Sequence, residues 1–313
     1  MTAMLIDSKT SDDPEIADVV AQLRRLRAAS QLSRYRGPAP RLPSREAIGE
    51  IVENLVSALY PRHFGPPGLS ARDADAFVAK TLSKTRAALR EQITLALALE
   101  QEHARGSVDA NQRSADEITS MFLAALPKIR ATLDKDARAA LAQDPSAKSI
   151  DEVIFCFPGV AAVRRHRLAH ELYQLGAPML ARIVAEIAHA QAGVDIHPGA
   201  EIGEGFFIDH GTGVVIGETA IIGRNVRLYQ AVTLGARSFQ VAADGQLRKN
   251  YPRHPIVEDD VVIYAGATIL GRITIGRSSS IGGNVWLTES VPPGSRITQA
   301  KTRADIFGDG DGV

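Results

Sequence analysis

The chain has a single cysteine, no surplus of charge of either sign and no long apolar run. Each shortage excludes something. Cys156, alone in 313 residues, leaves no partner for an intrachain disulfide, and its setting in IFCFPG offers no metal-ligand spacing. A reduced, cytoplasmic setting fits that usage. Lys plus Arg and Asp plus Glu each total 36, so no basic excess points to nucleic acid or an anionic membrane as partner. Small molecules and other proteins are the expected partners. The start MTAMLIDSKTSDDPEI turns acidic before an apolar stretch of signal-peptide length, and no later stretch suits a membrane span, so a soluble, unexported protein is expected. What is present is enough chain for two domains and 45% hydrophobic residues, enough for a sizeable core.

Two periodicities divide that core. From about Asp13 to Gln191 the pattern is helical, interrupted by the loop-like stretches RGPAPRLPSRE and YPRHFGPPGLS. Val78, Leu82, Leu89, Ile93 and Leu97 keep one helix face. Ser114 and Glu117 have capping-box spacing, and Pro127 suits the first turn of a further helix carrying Ile129 and Leu133. GVAAVRRHRLAHELYQLG and APMLARIVAEIAHAQAG each end at a glycine suited to a C-cap. After Gly193 the period becomes six: Ile196, Ile202, Ile208, Val214, Ala220, Val226 and Val232 form one series, and Val257, Ile263, Ile269, Ile275, Ile281 and Leu287 another. Short extended segments that each turn one aliphatic inward, with Gly203, Gly217, Gly223, Asn225, Gly276 and Gly282 at the turns, give a chain that coils around its own core. Between the two series, Ala236 to His254 is a long excursion of the kind that is usually functional.

The six-residue repeat, with VDIHP, DHGTGVVIGETA, VTLGA, RHP and VPPG, resembles the hexapeptide-repeat acyltransferases, and within them the serine O-acetyltransferases. The resemblance runs from about Ser114 to the C-terminus and implies an α plus β-solenoid fold, with an N-terminal all-helical domain followed by a left-handed parallel β-helix with one long extruded loop. The corresponding division is a helical domain over 1–192 that serves oligomerisation and contributes to a serine site, a catalytic β-helix over 193–292 and a C-terminal tail over 293–313.

The resemblance also assigns roles. His210 of DHGTG would be the general base and Asp195 of VDIHP its dyad partner; a carboxylate on one imidazole nitrogen raises the basicity of the other. Asp209 would meet the amino group of serine, and Arg253 with His254 its carboxylate, since a zwitterion needs an anionic and a cationic partner. Asp144, before Pro145, would reach the same site from the helical domain, or simply end a helix. Gly235, Ala265 and Gly266 would line the path of acetyl-CoA, the co-substrate, with no permanently bound cofactor and no metal. RSSS at Arg277–Ser280 departs from the basic residue common there, leaving the contact to the CoA phosphates unassigned. His197 reads as a corner residue, and Glu218 has no role derivable from sequence.

The reaction implied is acetyl transfer to the hydroxyl of L-serine in cysteine biosynthesis, without a covalent acyl-enzyme, in a homotrimer or a dimer of trimers with sites between subunits. The family also implies feedback inhibition by cysteine and a tail, here ending at Val313, that binds O-acetylserine sulfhydrylase. Rival readings are a related acyltransferase acting on homoserine, a sugar or an amine; a silent scaffold; and a γ-carbonic-anhydrase-like solenoid holding zinc on His197, His210 and His254.

Overall fold

The computed structural model describes residues 13–35, 37–103, 112–242 and 244–299. Val313 and most of the proposed tail lie outside the described residues. The first half is helical: α1 (Pro14–Arg34), α2 (Arg45–Leu59), a single turn α3 (Pro61–Phe64), α4 (Ala74–His103), α5 (Ala115–Gln143), α6 (Ile150–Cys156), α7 (Pro158–Leu175) and α8 (Pro178–Ala192). Leu89, Ile93 and Leu97 of α4 pack with Phe122, Leu126, Ile129 and Leu133 of α5 and Leu168 and Leu172 of α7 in one core. Ser114 and Glu117 form the capping box on α5. Gly176 and Gly193 end α7 and α8 in the left-handed conformation, where a side chain would be strained. No helix among the described residues is long and apolar enough to cross a membrane.

Pro127 corrects the sequence expectation, because it starts no helix: it lies inside the 29-residue α5. Phe122, Leu126, Ile129 and Leu133 lie on one buried face that continues through the proline, so tertiary packing outweighs the lost backbone hydrogen bond.

From Asp195 the chain winds as a three-faced solenoid of parallel strands. The first face stacks β1 (Asp195–Ile196), β4 (Val215–Ile216), β7 (Thr233–Gly235), β10 (Thr268–Leu270) and β13 (Trp286–Leu287). The second stacks β2 (Glu201–Ile202), β5 (Ile221–Ile222), β8 (Ile256–Val257) and β11 (Thr274–Ile275). The third stacks β3 (Phe207–Ile208), β6 (Arg227–Leu228), β9 (Val262–Ile263), β12 (Ser280–Ile281) and β14 (Arg296–Ile297). Because β14 pairs with β12, the ladder continues past residue 292, where sequence placed the start of the tail; VPPG breaks the six-residue count without ending the coil.

Strand register shows that the six-residue series mixes two tracks. One buried residue lies in each strand (Ile196, Ile216, Leu234, Ile269) and another at the corner before it (Val194, Val214, Val232, Ala267). Ile196, Ile202 and Ile208 belong to the strand track, whereas Val214, Ala220, Val226 and Val232 belong to the corner track. The switch occurs because the first coil is longer: Asp195 pairs with Val215, 20 residues on, whereas Val215 pairs with Thr233, 18 on. Two extra residues therefore swell the corner spanning Asp209 to Gly213. The extruded loop adds 17, since Ile222 pairs with Val257, 35 residues on, against 18 in the following coil.

The helical half closes the first coil. Ala162 and Val163 of α7 enter the solenoid core beside Val194 and Phe206, and Gly159 lies so near Ile208 that an added Cβ would be 2.0 Å from its carbonyl oxygen. Arg167 of α7 donates from Nε and Nη2 to the two carboxylate oxygens of buried Asp136 on α5, each at 3.1 Å, and to the carbonyls of Ile202 and Gly203. Asp136 also accepts the Phe206 amide at 3.0 Å. A planar guanidinium fork suits this linkage of two helices to one coil.

Candidate active site

The swollen corner carries His210. Its φ of 59° is left-handed, as are those of Gly211 and Gly213, and the turn leaves the imidazole 69% exposed. A β-branched residue would not be tolerated there. His210 Nε2 lies 3.9 Å from Asp209 Oδ1. Asp209 is buried, and its Oδ2 accepts from Arg227 Nη2 at 2.5 Å. Arg227 also donates from Nη1 to the carbonyl of Gln143, the last residue of α5, at 2.7 Å. Asp144 follows as the extended C-cap of that helix, as a residue before proline should. Its carboxylate accepts from the Ser146 hydroxyl and amide at 2.7 and 2.8 Å. Those two bonds, with the fields of Arg227 and His210 behind them, hold its pKa below the usual carboxylate range. Asp144 thus ends a helix, and its carboxylate lies within the fields of Arg227 and His210.

Asp195 is half-buried on β1 and makes no hydrogen bond or ion pair with His210. The two side chains of the dyad expected from sequence do not meet in this chain. The field of Asp195 instead reaches His197, opposing the downward shift that burial imposes on that ring. His197 Nδ1 accepts the Gly199 amide at 3.0 Å and its ring meets Tyr173 edge-on, as a corner residue.

Arg253 and His254 occupy a different corner, between the first and second faces. The Thr219 amide donates to His254 Nδ1 at 3.1 Å, which places the ring proton on Nε2. Burial, then the charge of Arg253, pushes the His254 pKa down to about 4, so the ring is neutral near pH 7. Arg253 is the charged member of the pair that the sequence set against the serine carboxylate. Arg253 Nη2 donates to Glu218 Oε2 at 2.5 Å, and Glu218 Oε1 accepts from the Tyr173 hydroxyl at 3.3 Å. Gly217 is required here, since a Cβ would fall 2.0 Å from the His254 ring. A cleft of about 250 Å³ opens beside this corner, lined by Arg237, Tyr251, Arg253, Gly271, Arg272 and Thr288.

The two clusters do not meet within one chain. Gly213 and Thr219 mark their corners, at opposite ends of the side of the coil that carries β4 (Val215–Ile216). Gly235 and Ala265–Gly266 are divided likewise. Gly235, at the end of β7, pairs with Leu270 near the cleft. Gly266 lies in the column of left-handed corner residues Gly213, Ala231 and Asn284, and a Cβ there would be 2.2 Å from Asn284 Oδ1. His197, His210 and His254 do not converge either, and among the described residues no group of three or more His, Cys, Asp or Glu stands where it could hold a metal ion.

Sequence reasoning missed Arg227, Tyr173 and Thr219. Arg227 is in register with Phe207, two residues before Asp209, across the longer first coil, so only the register brings it to that carboxylate. Thr219 and His254 are 35 apart, one coil plus the inserted 17, which only the register reveals.

A helically capped, three-faced parallel solenoid with a histidine on a swollen corner defines a hexapeptide-repeat acyltransferase. No protein-family model matches the chain. It is 57% identical over 276 residues to a plasmid-encoded serine acetyltransferase of Synechococcus elongatus, covering 87% of this chain and 86% of that protein. Its fold resembles serine acetyltransferase isoform 3 of Entamoeba histolytica, solved with cysteine (TM-score 0.69, 30% identity, 94% of this chain and 96% of that one). It also resembles the Brucella abortus serine acetyltransferase solved with coenzyme A (TM-score 0.53, 27% identity, 81% and 94%). The chain belongs to the serine acetyltransferase family, and its solenoid is the left-handed β-helix of that family.

Proposed function

We propose that the protein transfers the acetyl group of acetyl-CoA to the hydroxyl of L-serine, giving O-acetyl-L-serine and CoA, the activating step of cysteine biosynthesis. Family membership at 57% identity supports the reaction, as do relatives solved with cysteine and with coenzyme A. The observation that carries the mechanism is the exposed His210 on a corner enlarged by two residues, flanked by Asp209 and the helix end bearing Asp144.

His210 removes the serine hydroxyl proton as that oxygen bonds to the thioester carbonyl carbon; the carbon–sulfur bond breaks, and the proton passes to the CoA thiolate. Asp195 stabilises the transient imidazolium once substrate draws the two together, since catalytic hydrogen bonds commonly tighten only in the complex. Asp209 and Asp144 receive the ammonium group. Arg253 receives the carboxylate in competition with Glu218, and His254 contributes a neutral N–H. Gly235, Ala265 and Gly266 leave room for the pantetheine arm.

Because His210 and Arg253 occupy different corners, a complete site takes one corner from each of two copies. That supports a homotrimer, or a dimer of trimers built through the helical domain over 1–192, with the β-helix over 193–292 catalytic. A cytoplasmic location fits the lone Cys156, and the tail over 293–313, ending at Val313, is proposed to bind O-acetylserine sulfhydrylase.

Release of CoA with serine, homoserine, a sugar or a simple amine as acceptor tests the substrate. A clear preference for serine is expected, and its absence defeats the assignment. His210→Ala is expected to lower kcat/KM by about 10²- to 10⁴-fold; an unchanged rate removes His210 as the base.

A further inference from the structure

Arg227 reaches into three parts of the molecule at once. On β6, in register with Phe207, it holds the Asp209 carboxylate at 2.5 Å and the Gln143 carbonyl at 2.7 Å. Its guanidinium carbon lies over the rings of Tyr229 at 4.5 Å and Phe207 at 5.3 Å. The side chain is 15% exposed, so both bonds form largely away from water, where geometry matters most. Through Asp209 it fixes a carboxylate on the β-helix. Through Gln143 it fixes the end of α5, and Asp144 is the next residue.

The charges in this corner make the arrangement specific. Asp209 and Asp144 carry two negative charges and a serine ammonium one positive charge, so without Arg227 one carboxylate would face the other uncompensated. With Arg227 on Asp209 Oδ2, one net negative charge remains, and Asp209 Oδ1 is left on the side of His210. The guanidinium is not arranged for its own satisfaction, because its buried Nε finds no partner. An apolar side chain between the two rings would avoid that cost.

We propose that Arg227 is a positioning residue for the amino-group side of the acceptor site, holding Asp209 and the Asp144-bearing end of α5 at a fixed separation. The inference rests on the reading of those two carboxylates as ligands of the serine ammonium. Arg227→Met and Arg227→Lys in the full chain test it through separate KM values for serine and acetyl-CoA. Arg227→Met is expected to raise the serine KM about tenfold to a hundredfold, the effect of losing a charge-assisted hydrogen bond. The acetyl-CoA KM and kcat should stay near their wild-type values. Lys should restore part of the loss, because its point charge reaches one of the two oxygens but lacks the fork for both. Asp144→Asn should cost less in the Met background than alone, because the partner that placed Asp144 is gone.

A parallel rise in both KM values with a fall in kcat and in folded protein would mean a merely structural role and overturn the proposal. So would additive effects of the Asp144 and Arg227 changes. Asp209→Asn separates the two levels. If it leaves the serine KM unchanged, the amine-site reading fails and takes this inference with it. If it raises the serine KM while Arg227→Met does not, only the positioning role fails.

Discussion

His254 is held as a neutral ring at a corner packed against Gly217 and Thr219, and this has a consequence for stability. Its folded pKa of about 4 lies below the ordinary histidine value of 6.5, so the unfolded chain binds the proton more readily. The contribution is complete above pH 6.5 and is lost as pH falls from 6.5 toward 4. Denaturant titrations across that window should show unfolding free energy falling with pH, with a slope from this residue of about 1.4 kcal/mol per pH unit. His254→Gln should remove that share of the slope; an unchanged slope would show that the ring titrates normally. At the same scale, Asp195, Asp209, His210 and Arg253 could be picked out as candidates from sequence because they stand in short motifs. The charge state of His254 was not, because it depends on burial and on an amide 35 residues away. Glu218 gained a role only when the fold brought Arg253 and Tyr173 to its two oxygens.

Elements were legible where one periodicity dominated, as in α4 and the second aliphatic series. They were misread where two patterns overlapped. Val214 lies six residues after Ile208 and is buried, so the count of six continues unbroken although the chain has changed track. The swelling at Asp209 to Gly213 is thereby hidden in the count. Deleting Gly211 and Thr212 would return the first coil to 18 residues and draw His210 into a regular corner. The solenoid is expected to fold, since every later coil of 18 residues does so without the insertion, and acetyl transfer should fall by at least about a hundredfold through lost alignment. Circular dichroism with CoA release checks both parts; a folded, active deletion would show that the swelling is not needed. Pro127 is the second misreading: local propensity marked a helix start, and a shared apolar face carried α5 through it.

At the scale of the whole molecule, two cores meet at the first coil. Phe207 packs with the helices, stacked on Phe157 at 6.3 Å, while Phe206 beside it fills the solenoid. Phe206 is the corner residue just before β3 and Phe207 its first strand residue, so this one pair serves both cores. With Ala162, Val163 and the Arg167–Asp136 bond, it gives the β-helix a closed starting end, which a repeat that buries its core only by stacking requires. None of this docking was visible in the sequence, because it depends on a helix and a coil meeting across more than thirty residues of chain.

If His210 and Arg253 of neighbouring copies complete one site, as proposed, two broken chains should repair each other. Coexpress a His210→Ala chain with an Arg253→Ala chain. In a mixed trimer, one of the three junctions pairs the intact histidine of one chain with the intact arginine of the next. Random mixing then returns roughly a quarter of wild-type activity, although neither chain alone supplies a working site. If the mixture stays as inactive as its parts, each chain must close its own site. If activity returns, the solenoid corners are halves of a shared device, and the protein's concentration decides how many of them are whole.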